Sequence, residues 1–238
     1  MSENGKSQGS GSHARPRPAG SAVLFDFDGT LFFGTARLNG WCFEQALRDM
    51  GKPLPTREML ERSVGMTFPD IARLMLGGGD PGETALFTQL VSQRVPDYIR
   101  QFVRPDPAVK DMLAALRPQA RLAVCSNGTR SYLSLMLDAL ELTPLLDAVW
   151  PWQEGYTKAS AIPELRRRLE AQRVVFVGDR LEDVLCAREA GVPVVGIRNA
   201  AFPHEVNGAD AVVETPSQML RAVRRLLAPC PSPEARTI

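Results

Sequence analysis

Short apolar runs recur along this chain, separated by stretches with helical spacing. The runs fall at 22–27, 121–126, 147–152, 173–179, 192–197 and 211–214. They are rich in Val, Leu, Ala and Phe, too short for helices, and read as buried strands. Between them, residues 107–116, 130–140, 159–170 and 181–190 repeat apolar positions every three to four residues. Gly191 follows the last of these in the position of a C-cap, and 217–227 reads as a closing helix. Strands alternating with helices predict a parallel sheet covered on both faces, with right-handed crossovers. In such sheets ligands bind beyond the carboxyl ends of the strands.

One segment breaks this rhythm. Residues 35–104 contain no strand pattern and read as helices at 36–50, 56–64, 69–76 and 81–102, the last with a break. That is far longer than an ordinary crossover. The fold class expected is therefore α/β: a Rossmann-like parallel sheet core, residues 21–34 and 105–228, with an inserted α-helical domain at 35–104. The ends, 1–20 and 229–238, are rich in Gly, Ser, Pro and Arg and are expected to be disordered.

Composition narrows the function classes. With 44% hydrophobic residues and a net charge of +1 over 238 residues, the chain can build a core but has no strong field for nucleic acid. It also lacks a basic-aromatic cluster, and no stretch approaches the roughly 20 apolar residues of a membrane span. The N-terminus has no apolar signal core, and a cytoplasmic location is expected. Cys42, Cys125, Cys186 and Cys230 form no CxxC pair, so neither zinc nor a disulfide framework is expected. Only His13 and His204 represent histidine. A metal would thus be a hard cation held by oxygen, such as Mg2+.

The candidate chemistry starts directly behind the first strand, at Asp26-Phe27-Asp28-Gly29-Thr30-Leu31-Phe32. Two carboxylates at i and i+2 point to one side of an extended backbone. Like charges there need a cation or a shared proton. Gly29 permits a tight turn with backbone amides facing a ligand. A calcium loop of the EF-hand kind fails, because the twelfth position from Asp26 is Arg37 rather than Glu. The stretch VLFDFDGTL resembles the first motif of the haloacid dehalogenase-like superfamily, and the likeness extends over about residues 21–228.

Three further segments match the pattern of that superfamily. Ser126-Asn127-Gly128 closes the second strand and resembles its phosphate-binding motif. Lys158 precedes a helix in the position of the third motif, followed here by Ala159 and Ser160 where many relatives have Pro. Val177-Gly178-Asp179, with Asp183 four residues on, resembles the fourth. The resemblance implies that the 35–104 insertion is a cap closing over the site, and that the nearest subgroup is the phosphoglycolate phosphatase-like one. It further implies catalytic Asp26 and Asp28, phosphate binding by Ser126, Asn127 and Lys158, and Mg2+ held by Asp26, Asp28 through its backbone carbonyl, Asp179 and Asp183.

The implied activity is hydrolysis of a small phosphorylated metabolite, phosphoglycolate-like, nucleotide or sugar phosphate, through an aspartyl phosphate. An acid at Asp28 sets the chain apart from the dehalogenases. The cap's single lysine, Lys52, sets it apart from the phosphonate hydrolases, which use a cap lysine as an imine-forming amine. A sugar phosphomutase and a non-catalytic scaffold remain the alternatives. Arg62, beside Ser63–Thr67, is a candidate for reading a substrate carboxylate or second phosphate, and Arg180 a candidate substrate contact. Phe33 and Gly34 replace an Asp-Ser pair common among relatives.

Overall fold

The computed structural model describes residues 20–78, 80–199 and 202–228. The tails expected to be disordered lie outside these residues, except Gly20, whose carbonyl accepts from the N–H groups of Gln172 and Arg173 and so belongs to the fold. Six strands, β1 (Ser21–Phe25), β2 (Arg121–Cys125), β3 (Ala148–Trp150), β4 (Arg173–Gly178), β5 (Val194–Ile197) and β6 (Ala211–Val213), make one parallel sheet. Its order is β3-β2-β1-β4-β5-β6. In register, Phe25 stands beside Val124 on one side and Val177 on the other.

Five helices fall between β1 and β2, and the first four make the insertion: α1 (Thr35–Asp49), α2 (Arg57–Ser63), α3 (Phe68–Leu76) and α4 (Pro81–Phe102). They are followed by α5 (Pro107–Leu116), which also precedes β2, and by α6 (Arg130–Ala139), α7 (Lys158–Arg168), α8 (Leu181–Glu189) and α9 (Pro216–Leu227). Alternate residues of each strand feed opposite faces. Val23, Phe25, Leu122, Val124, Val175 and Val177 pack with α5, α6 and α9. Ala22, Leu24, Ala123, Cys125, Val174 and Phe176 pack with α7 and α8. Each face is dry, which explains why the strands read as unbroken apolar runs.

The strands end earlier than their apolar runs suggested. Asp26, Ser126 and Asp179 each sit one residue past the end of β1, β2 and β4. Asp26 and Ser126 still donate a backbone bond to the neighbouring strand, at Val177 and Trp150, and all three polar side chains collect at the carboxyl edge of the sheet. The chain winds outward from β1 in both directions, so the reversal of strand order also falls there, as the rule for open α/β sheets anticipates.

In the insertion, α1 and α3 pack on α4 through Phe43, Phe68 and Phe87. α4 runs unbroken from Pro81 to Phe102, Pro96 included, although a break within it was expected. The proline costs one hydrogen bond but sits in a helix that is clamped along one side by Phe87, Val91, Val95 and Tyr98. The interior of the insertion is continuous with the α5, α6 and α9 side of the core. No helix among the described residues is long and apolar enough to cross a membrane. Cys42, Cys125 and Cys186 are buried free thiols, while Cys230 and His13 lie outside the described residues.

Candidate active site

The N–H of Asp26 donates to the carbonyl of Val177 at 2.8 Å, which fixes the residue at the junction of β1 and β4. Lys158 reaches it from the first position of α7. There the capping box of Thr157 and Ser160 sets the start of the helix and hence the lysine's direction. Its Nζ donates to Asp26 Oδ1 at 2.7 Å and to Asp183 Oδ1 at 2.7 Å, and the side chain is only 3% exposed. The other oxygen of Asp183 accepts the N–H groups of Asp179 and Arg180, both at 3.1 Å. Asp183 thus orients both the lysine and the loop that carries Asp179. A side chain at Gly178 would place its Cβ 2.3 Å from Asp183 Cγ, so glycine is required there.

Two carboxylate oxygens in this cluster have no partner. Asp26 Oδ2 and Asp179 Oδ1 are buried and accept no hydrogen bond, although Asn199 Nδ2 donates to Asp179 Oδ2 at 2.9 Å. Asp26, Asp179 and Asp183 each place a carboxylate oxygen within 4.8 Å of the others. Three acids thus face one ammonium. Burial pushes Asp26 well above the usual carboxylate range; Lys158 opposes this, and the charges of Asp183 and Asp179 add to it. Burial, then Asp183, pushes Asp179 up to about 7. For Lys158 burial alone would favour the neutral amine, but Asp183 and Asp26 outweigh it and hold the ammonium. Orphaned buried carboxylate oxygens in an all-oxygen cluster with surplus negative charge fit a hard divalent cation.

Gly29 closes the turn over this cluster with φ +87°, and a Cβ there would lie 2.2 Å from Asp179 Oδ2. Gly29→Ala therefore combines a left-handed backbone strain with a clash against a buried carboxylate. We expect a stability loss of about 1–3 kcal/mol from the backbone alone and at least a hundredfold loss of turnover. A thermal melt beside steady-state kinetics checks both. An unchanged melt with full turnover would show that the turn relaxes freely.

Asp28 is held quite differently from Asp26. Its Oδ1 accepts from Tyr132 OH at 2.7 Å and from Thr35 Oγ1 at 2.8 Å. Burial pushes its pKa up, and these two bonds partly oppose the rise. The first motif therefore supplies one carboxylate tied to a lysine and one held by two neutral hydroxyls. Neither Thr35 nor Tyr132 was marked in the sequence, nor was Asn199. Each lies at the carboxyl edge of the sheet, Thr35 and Tyr132 in the first turns of α1 and α6, and Asn199 just past β5. That placement was the available signal. Tyr132→Phe removes one donor from Asp28, and we expect kcat to fall about tenfold with KM little changed. A fall confined to KM would instead place the tyrosine in ground-state binding.

Ser126 is buried, and its Oγ accepts the N–H of Gly128 at 3.1 Å. Asn127 turns toward the insertion: its Nδ2 donates to the carbonyl of Gly65 at 2.9 Å and to Glu182 at 3.2 Å. Arg180 also joins the two parts, donating to the carbonyl of Val64 while pairing with Glu205 at 2.8 Å and lying over the Phe202 ring. The loop at residues 64–66 is thereby latched to the core from two sides. Arg62 is exposed at the end of α2. Lys52 is committed to Glu83 at 2.5 Å. Arg166, Arg167 and Arg168 form an exposed helix face, as their run suggested. Trp150 packs partly buried on the α7 side, against Tyr156.

Comparison with known proteins agrees with this geometry. The model of the haloacid dehalogenase-like hydrolases matches residues 23–197, from β1 through β5. The chain belongs to the haloacid dehalogenase-like hydrolase family. It is 29% identical to a phosphoglycolate phosphatase of Caulobacter vibrioides, over 90% of this chain and 95% of that protein. An N-acetylmuramic acid 6-phosphate phosphatase of Pseudomonas aeruginosa is 26% identical, over 88% and 97%. The crystal structure of a predicted phosphoglycolate phosphatase from Haemophilus somnus superposes with a TM-score of 0.76 at 21% identity, covering 85% of this chain and 97% of that one. Within this haloacid dehalogenase-like hydrolase, all four expected motifs converge on the carboxyl edge around β1 and β4.

Proposed function

We propose that the protein is a Mg2+-dependent phosphatase of small phosphomonoesters, with residues 35–104 acting as a cap over a core of 21–34 and 105–228. The observation that carries this reading is the unequal treatment of two neighbouring acids. Burial raises both, but Asp26 is paired with a buried ammonium and suits a nucleophile, whereas Asp28 is held by two neutral hydroxyls and suits a proton carrier.

Asp26 attacks phosphorus, and the ester P–O bond breaks as Asp28 gives its proton to the leaving oxygen. Asp28 then takes a proton from water, whose oxygen attacks the aspartyl phosphate and releases phosphate and free Asp26. Ser126 presents its hydroxyl to a phosphate oxygen, and Lys158 balances charge on the transferring group. Asp183 positions the lysine. A Mg2+ ion would be held by Asp26, the backbone carbonyl of Asp28 and Asp179, with Asp183 in support. When bound, it supplies positive charge against the phosphate and the attacking carboxylate.

Phosphate release from a panel of phosphomonoesters, with Mg2+ and with EDTA, tests the reading. Metal-dependent release is expected, together with a Mg2+-dependent rise in melting temperature, because the cation binds the folded state alone. Release that persists in EDTA would sink the metal assignment. Conversion of a sugar phosphate to its isomer without phosphate release would favour a mutase.

A further inference from the structure

The space beneath the cap has a chemistry of its own. It encloses about 150 Å3 between α1, α3 and α4 on one side and α6 on the other, and it meets the catalytic centre at Asp28, Asn127 and Gly128. Leu38, Phe43, Phe68, Ile71, Val91 and Val95 are among the residues of its apolar wall. No Lys, Arg or His is among the described residues that line it. The hydroxyls of Ser63, Thr88 and Ser92 are already committed as donors. Ser63 donates to the carbonyl of Leu60 at 2.7 Å and accepts from Asn39 at 2.9 Å. Thr88 donates to the carbonyl of Thr84 at 2.7 Å, and Ser92 to that of Thr88 at 2.8 Å. These groups offer lone pairs to a ligand, not protons.

A substrate carboxylate or second phosphate needs a cation or several donors once it leaves water. Arg62, the one cation the sequence offered for that purpose, is exposed and outside the lining. An apolar cavity of about this volume accepts a benzene-sized group. Resting on the phosphatase reading above, we propose that the substrate's leaving alcohol is uncharged, largely apolar and about the size of a benzyl or branched alkyl group. The ester oxygen sits at Asp28, takes its proton there, and the freed alcohol departs through the cavity. This sets the chain's selectivity apart from phosphoglycolate, whose leaving alcohol carries a carboxylate.

Matched substrates test the idea: benzyl phosphate, its 4-carboxy analogue, phosphoglycolate and methyl phosphate, each with Mg2+. We expect kcat/KM for benzyl phosphate to exceed that for the carboxy analogue and for phosphoglycolate by about a hundredfold or more. Val91→Trp, which fills the cavity, should lower the ratio of benzyl to methyl phosphate hydrolysis more than tenfold; a ratio within one preparation is insensitive to partial unfolding. Binding of benzyl alcohol, followed by NMR shifts of the Met66 methyl and lost in Val91→Trp, reads the cavity without turnover. Equal or better hydrolysis of phosphoglycolate would overturn the proposal, as would the absence of benzyl alcohol binding. Benzyl alcohol binding with no hydrolysis of any ester would sink the phosphatase reading while upholding what the cavity accepts.

Discussion

Asp26→Asn is expected to lose at least about ten-thousandfold in kcat while keeping its fold, since an amide cannot serve as the attacking oxyanion. The structure explains why the fold should survive. Asparagine preserves the shape and still offers an oxygen to Lys158 Nζ, which keeps its 2.7 Å partner in Asp183. The substitution also removes one negative charge from a buried site where three acids face one ammonium. A melting temperature within a few degrees of the parent, or above it, is therefore expected. Loss of turnover with an intact melt assigns the chemistry to this one oxygen. Full phosphate release from the asparagine variant would mean that another group, or water directly, attacks phosphorus.

The sheet and its catalytic edge were legible because both follow from strong local rules. Buried parallel strands must be apolar throughout, so six short runs announced six strands. The residues that interrupt such runs at the carboxyl end then announced the site. Boundaries were less legible. Ser126 and Asp179 looked like the ends of their strands, yet each lies one residue past the end, in the position that Asp26 was expected to hold behind β1. Apolar pattern marks where a side chain is buried, and these polar groups are buried too, by one another. Tyr132 and Thr35 could not be read for a different reason. Their contact with Asp28 spans 104 and 7 residues and depends on how α6 and the start of α1 meet over the sheet. The start of α1 is also where Phe33 and Gly34 depart from the usual pair. Gly34 passes close to the Phe32 ring, where a Cβ would lie 2.6 Å from it, and Thr35 then supplies the hydroxyl to Asp28. Specificity was least legible of all. Arg62 stood out as a lone charge near a suggestive loop, but the direction of a helix-end side chain is set by packing, and packing turned it outward. The cation-free lining emerged only from the joint placement of α1, α3, α4 and α6.

Lys158→Met should be the most damaging single change to stability, and it should lower activity as well. Methionine matches the lysine stem in length and can fill its volume, so the loss is one of charge and hydrogen bonds rather than of packing. Asp26 and Asp183 would then face each other and Asp179 in the same buried cluster with no ammonium between them. Breaking a buried ion pair from one side costs about 3–5 kcal/mol. For a chain of this length that corresponds to a fall of roughly 6–20 °C in melting temperature. Turnover should fall about a thousandfold, because the fixed charge that opposes phosphate and favours the ionised form of Asp26 is gone. Mg2+ separates the two effects. The cation can offset part of the surplus negative charge, so its stabilising increment should be larger in the variant than in the parent, whereas turnover should stay low because phosphate still lacks its lysine. Melts and phosphate release measured across a Mg2+ titration give both quantities from one preparation. An unchanged melting temperature without Mg2+ would show that the carboxylates already share protons in the parent, and that the ion pairs at Lys158 contribute orientation rather than stability.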